Sequence, residues 1–179
     1  PQMYKDLGLY IRATNLCSEI MLHSSAEYTY SCILSSLNLV HWDKIKNSDS
    51  AFIATVFLDC LCQEFIEKSE GIAGLEKVRA FTIKGRAIGL GVMGFHTYLQ
   101  SKGIPYVGLE AQYLSMDIAH HLQAESLRAS KWLAQEYGEP ERQTLQHREE
   151  RRERMVVGRV RLLQDHAVSF QLFKGGRGT

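Results

Sequence analysis

The sequence predicts an α/β fold, helix-rich with few short strands. Three observations carry that prediction. Cys32 to Val40 alternates at the period of a strand. Asp49 to Lys68 and Leu109 to Tyr137 repeat their apolar residues at helical spacing. Glycine and proline punctuate the chain where those patterns stop, at Gly71 and Gly74, at Gly103 and Pro105, and at Gly138 and Pro140.

Each element follows in order. Residues 1–14 form an opening segment with a short apolar stretch, Leu7 to Ile11. Glu19 to Leu22 reads as a short strand, and the polar run Ser24 to Ser31 as a loop. The second strand, Cys32 to Val40, has Ile33, Leu34, Leu37, Leu39 and Val40 as its apolar members. The Asp49 to Lys68 helix can be capped by Ser48 or Asp49. Its predicted apolar face is Ile53, Val56, Phe57, Cys60, Leu61 and Phe65. Val78 to Gly85 fits either a helix or a strand. Ile88 to Leu99 reads as a turn running into a helix, and Leu109 to Tyr137 as one long amphipathic helix.

Composition bounds the class. A chain of 179 residues, 45% hydrophobic and 23% charged, can bury a sizeable core. No apolar run approaches the roughly 18 residues that a membrane span needs. Pro1 to Arg12 lacks a basic start followed by an apolar stretch, so no signal peptide is expected and the cytoplasm is the default compartment. The cysteines are Cys17, Cys32, Cys60 and Cys62, with no zinc-type spacing and no expected metal. Cys60 and Cys62 are expected to be buried structural thiols.

Charge is unevenly placed. Residues 1–141 hold 12 Lys and Arg against 16 Asp and Glu, whereas residues 142–179 hold 9 against 4. The break predicts a domain over 1–141 and a poorly ordered, Arg-rich tail over 142–179.

Asn15, Cys17 and Glu19 alternate with Leu16 and Ser18. In an extended segment such residues project to one side. An amide, a thiol and a carboxylate would then share one space, as a hydrogen-bonding group, a nucleophile or one-electron centre, and a general base. Spacing alone favours an ordinary strand with a buried cysteine and polar neighbours. His120 and His121 read as solvated or packing residues rather than metal ligands.

A family resemblance extends this reading. Thr14-Asn15-Leu16-Cys17-Ser18-Glu19-Ile20 resembles the active-site loop of the ribonucleotide reductase large subunit. Ser31-Cys32-Ile33-Leu34-Ser35-Ser36-Leu37-Asn38-Leu39 resembles the next strand of that family, which carries a redox cysteine. Arg86-Ala87-Ile88-Gly89-Leu90-Gly91-Val92-Met93-Gly94-Phe95-His96 resembles its Arg-x-x-Gly-x-Gly stretch, continued by Tyr98 to Pro105. Tyr137-Gly138-Glu139-Pro140-Glu141 is similar to the end of the following helix, so the resemblance runs in order over residues 8–141.

The resemblance implies part of a ten-stranded α/β barrel with the loop through its centre. It implies that Cys17 becomes a thiyl radical that removes the 3′ hydrogen of a ribonucleotide. Glu19 would take the 3′-hydroxyl proton, and Asn15 would hold the sugar hydroxyls. Asn15, Leu16, Cys17 and Glu19 would line the substrate, and Cys32 would be one of the reducing thiols. No cofactor would bind this chain directly. A metal-bearing small subunit would supply the radical, with adenosylcobalamin as the alternative. The remaining part of the large subunit would be a partner, and thioredoxin or glutaredoxin the external reductant. It would bring the thiol partner of Cys32, the allosteric sites, the phosphate-gripping loop and the radical-relaying tyrosines. The chain alone is therefore expected to be inactive, with open strand edges that seek partners.

Two other readings are weighed against this one. Gly89-Leu90-Gly91-Val92-Met93-Gly94 fits the G-x-G-x-x-G dinucleotide turn of a Rossmann-type oxidoreductase. Lys84, Gly85 and Arg86 before it and Asp117 in a helical pattern argue against that, and glycines that let a helix start close to a neighbouring backbone fit better. A non-enzymatic helical interaction domain would instead use the Leu109 to Tyr137 helix as its binding face, with Arg148 to Arg161 as a charged patch. The tail departs from the family pattern after Glu141, as a reading-frame change or a split gene with a new tail would produce.

Overall fold

The computed structural model describes residues 8–15 and 21–140. Two parallel strands form its centre, β1 (Ile33–Asn38) and β2 (Ile88–Met93), in the register Ile33 opposite Ile88 through Asn38 opposite Met93. A parallel pair needs a long crossover. Here it runs through a 3₁₀ turn (Leu39–His41) and the helices α1 (Trp42–Ile45), α2 (Ser50–Lys68) and α3 (Glu76–Gly85). After β2 come α4 (Phe95–Ser101) and the long α5 (Leu109–Tyr137). The fold is α/β and helix-rich, and its two-stranded sheet is open, as a partial barrel requires. No helix among the described residues is long and apolar enough to cross a membrane.

The two faces of the sheet differ. Ile33, Leu37, Ile88 and Leu90 pack against Leu58 and Cys62 of α2. Cys32 and Leu34 project to the other side, over Gly89, and Ser36 lies over Gly91. A second cluster joins Leu39, Trp42, Ile45, Tyr98, Ile118 and Leu122 beyond the C-terminal ends of the strands. The α2 and α5 helices are also joined by polar atoms: Thr55 Oγ1 donates to the Ala51 carbonyl at 2.8 Å and lies 3.2 Å from Ser126 Oγ.

Several sequence expectations need correction. The α2 helix starts and ends as expected, but its core face is Ala51, Thr55, Leu58, Asp59 and Cys62. Ile53 is 61% exposed and Phe57 57% exposed. The helix is apolar on nearly all sides, so periodicity did not identify the stripe that packs. Of the two expected buried thiols, Cys62 is buried and Cys60 is exposed. Ile88 to Met93 is a strand, not a turn into a helix, and β1 ends at Asn38. Asn38 Oδ1 accepts the Val40 amide at 3.1 Å and opens the 3₁₀ turn, which removes Leu39 and Val40 from the strand. Met21 and Leu22 are not in a strand, and the remainder of that expected element lies outside the described residues.

Candidate functional site

Cys32 stands immediately before β1 and is fixed from both sides. Ser31 Oγ is 2.8 Å from Thr82 Oγ1 of α3. Thr82 Oγ1 already donates to the Val78 carbonyl at 2.9 Å, so Ser31 is the donor of that pair. On the other side, the Ile33 amide donates to the Ala87 carbonyl at 3.2 Å. Cys32 is half-buried, beside a cluster of Leu22, Phe81 and Ala87. These tethers hold the cysteine beside Leu22 at the head of the sheet.

Of the other sequence-predicted site residues, Asn15 is half-buried. Leu16, Cys17 and Glu19 lie outside the described residues. His23 is buried, and its Nδ1 is 3.3 Å from the Tyr10 carbonyl, a contact that the Nδ1–H tautomer satisfies.

The glycine-rich stretch has a structural role in β2. A side chain at Gly89 would meet Leu34 Cδ2 at 2.5 Å and Cys32 Sγ at 3.7 Å, and one at Gly91 would meet Ser36 Oγ at 3.3 Å. Gly94 has φ +75° and would place a Cβ 2.6 Å from Asn38 Oδ1. The expected close approach is present, but in a strand pressed against its neighbour. A strand-to-helix phosphate turn is excluded at Gly89 to Met93.

A pairing that sequence reasoning missed supports this site from behind. Arg86 is in the left-handed region at φ +42°, just before β2. Its Nε and Nη2 donate to Asp59 Oδ1 and Oδ2 at 2.7 and 2.9 Å, and Nη1 donates to Gln63 Oε1 at 2.9 Å. Burial would lower the Arg86 pKa, but the bond and charge of Asp59 outweigh it and the net direction is upward. The Cys62 thiol under the sheet is pushed up to about 12, chiefly by burial and then by the Asp59 carboxylate. It therefore stays protonated while an accessible thiol ionises. Sequence singles out Arg86 as the first residue of the Arg-x-x-Gly-x-Gly stretch, but the signal for its partner was Asp59 on an otherwise apolar helix face. Among the described residues, no three His, Cys, Asp or Glu side chains are grouped to hold a metal.

The arrangement is matched in known proteins. The family model for the ribonucleotide reductase barrel domain matches residues 2–156. The ribonucleoside-diphosphate reductase large subunit of Invertebrate iridescent virus 3 is 36% identical over 140 residues, covering 78% of this chain and 22% of that protein. The vitamin B12-dependent ribonucleoside-diphosphate reductase of Mycobacterium tuberculosis is 34% identical over 140 residues, covering 72% of this chain and 18% of that protein. The solved alpha subunit of the Actinobacillus ureae class Id ribonucleotide reductase superposes with a TM-score of 0.78 at 40% identity, covering 82% of this chain and 28% of that one. The chain thus spans less than a third of the length of each of these relatives. A family match that takes in both strands, the helices between them and the two cysteine-bearing segments places the chain in the ribonucleotide reductase barrel-domain family.

Proposed function

We propose that this chain supplies the radical-cysteine portion of a ribonucleoside-diphosphate reductase large subunit. The observation that carries the proposal is the continuous family match over residues 2–156, which includes both Asn15 to Glu19 and Cys32. In this reading the Cys17 thiyl takes the 3′ hydrogen of the ribose and becomes a thiol, leaving a carbon radical. Glu19 accepts the 3′-hydroxyl proton as the 2′-hydroxyl, protonated by one of the reducing thiols, leaves as water. Asn15 holds the sugar hydroxyls, and Leu16 packs beside them. Cys32 and a second thiol from the rest of the large subunit give two electrons and two protons and become a disulfide, Glu19 returns its proton to the 3′ oxygen, and the Cys17 thiol returns its hydrogen to the 3′ carbon, restoring the thiyl. Thioredoxin or glutaredoxin then reduces that disulfide.

The relatives include both large subunits and a vitamin B12-dependent enzyme, so the radical source is a separate choice. We favour a metal-bearing small subunit over adenosylcobalamin. The test is reconstitution of this chain with the remaining large-subunit portion and that small subunit. Ribonucleoside diphosphate reduction is expected, and Cys17→Ser is expected to abolish it. Equal turnover in both would overturn the radical assignment, and turnover dependent on added adenosylcobalamin would overturn the choice of radical source.

A further inference from the structure

We infer that Leu34 is a movable apolar cover for the Cys32 thiol and that Gly89 is the seat that holds it. Residues i and i+2 of a strand share a face. Cys32 and Leu34 both lean over Gly89, which is paired directly with Leu34. One point above that glycine lies 2.5 Å from Leu34 Cδ2 and 3.7 Å from Cys32 Sγ, so the two side-chain ends converge there. Only a residue without a Cβ leaves that space open.

Leu34 is nevertheless 53% exposed, whereas Ile88 and Leu90 on the opposite face are fully buried. Its branched end rests in the open space above Gly89, on the face away from α2, and can swing away without disturbing the packing on that helix. A side chain in this position limits which reagents reach the sulfur, and it can lift for a dithiol partner. Gly89 and Leu34 are positioning residues that act through Cys32. The functional weight of the cover rests on the redox role proposed for Cys32, but the cover itself does not.

The test is the alkylation rate of each cysteine in the full chain with N-ethylmaleimide at pH 8, resolved by peptide mass spectrometry. Leu34→Ala and Gly89→Ala remove the same cover by different routes. Each is expected to speed labelling of Cys32 about fivefold, as loss of a local closed state would. The double variant is expected to be no faster than either single one, and Leu34→Met should keep the native rate. Exposed Cys60 is the reference, and buried Cys62 reports general loosening. An unchanged Cys32 rate in Leu34→Ala overturns the inference. So do effects that multiply in the double variant, or a rise at Cys62 in step with Cys32. Turnover of Cys32→Ser in the reconstituted enzyme is a separate readout, so a failed redox role and a failed cover are told apart.

Discussion

Arg86 grips Asp59 with two nitrogens, at 2.7 and 2.9 Å, and so ties the approach to β2 to the middle of α2. Both side chains are largely buried, and Arg86 Nη2 also donates to the Asp59 carbonyl at 2.9 Å. Removing one member of such a pair leaves the other charged and desolvated. Asp59→Ala is expected to cost about 3 kcal/mol, read from the shift of the urea midpoint. A loss below about 1 kcal/mol would mean that water takes the place of the carboxylate.

The outer stripe of α2 is expected to be permissive. Ile53→Lys with Phe57→Glu should change stability by less than about 0.5 kcal/mol per site. The same variant should remain soluble at higher concentration, because it removes an exposed apolar stripe. Leu58→Ala, on the packed stripe, should cost about 3 kcal/mol. Chemical denaturation of the two variants side by side would expose any error in the face assignment.

Gly94 combines a left-handed backbone with a close neighbour. Gly94→Ala is expected to lose about 1–2 kcal/mol from backbone strain, before any displacement of Asn38 is counted. Asn38→Ala in the same background should relieve part of that loss, because it removes the oxygen that the new methyl meets. Thermal midpoints of the two singles and the double complete the cycle.

Cys62 predicts a pH dependence with a definite sign. Its folded-state pKa, about 12, lies above the ordinary thiol value of 9.0. Its contribution is fully present below pH 9 and is lost as pH rises from 9 towards 12, because only the unfolded chain releases the proton there. The slope should approach about −1.4 kcal/mol per pH unit inside that window. Cys62→Ala should flatten this component of the alkaline stability profile, and an unchanged slope would refute the assignment.

Much of this architecture was legible because its signals are local. Gly138 and Pro140 closed α5 at Tyr137, and Gly71 and Gly74 stopped α2, both through backbone preferences that need no partner. The packed stripe of α2 was not legible, since Ile53 and Phe57 are as apolar as Leu58. Only the position of the sheet distinguishes them. The β2 strand was hidden for a related reason. Three glycines between positions 89 and 94 read as a turn, and the use of Gly89 and Gly91 as low points under Leu34 and Ser36 appears only once β1 lies beside them. At the site, Cys32 was found through resemblance. The Ser31–Thr82 tether spans 51 residues of sequence and left no local pattern.

The alternation of Ile88 and Leu90 with Gly89 and Gly91 has a last consequence. A one-residue slip of β2 would turn the glycines towards α2 and thrust two large aliphatics at Leu34 and Ser36. The helix would then face voids while the other side collided with its neighbour. Mispaired states of this strand are thus penalised twice, and β2 acts as its own proofreader while the chain finds its alignment.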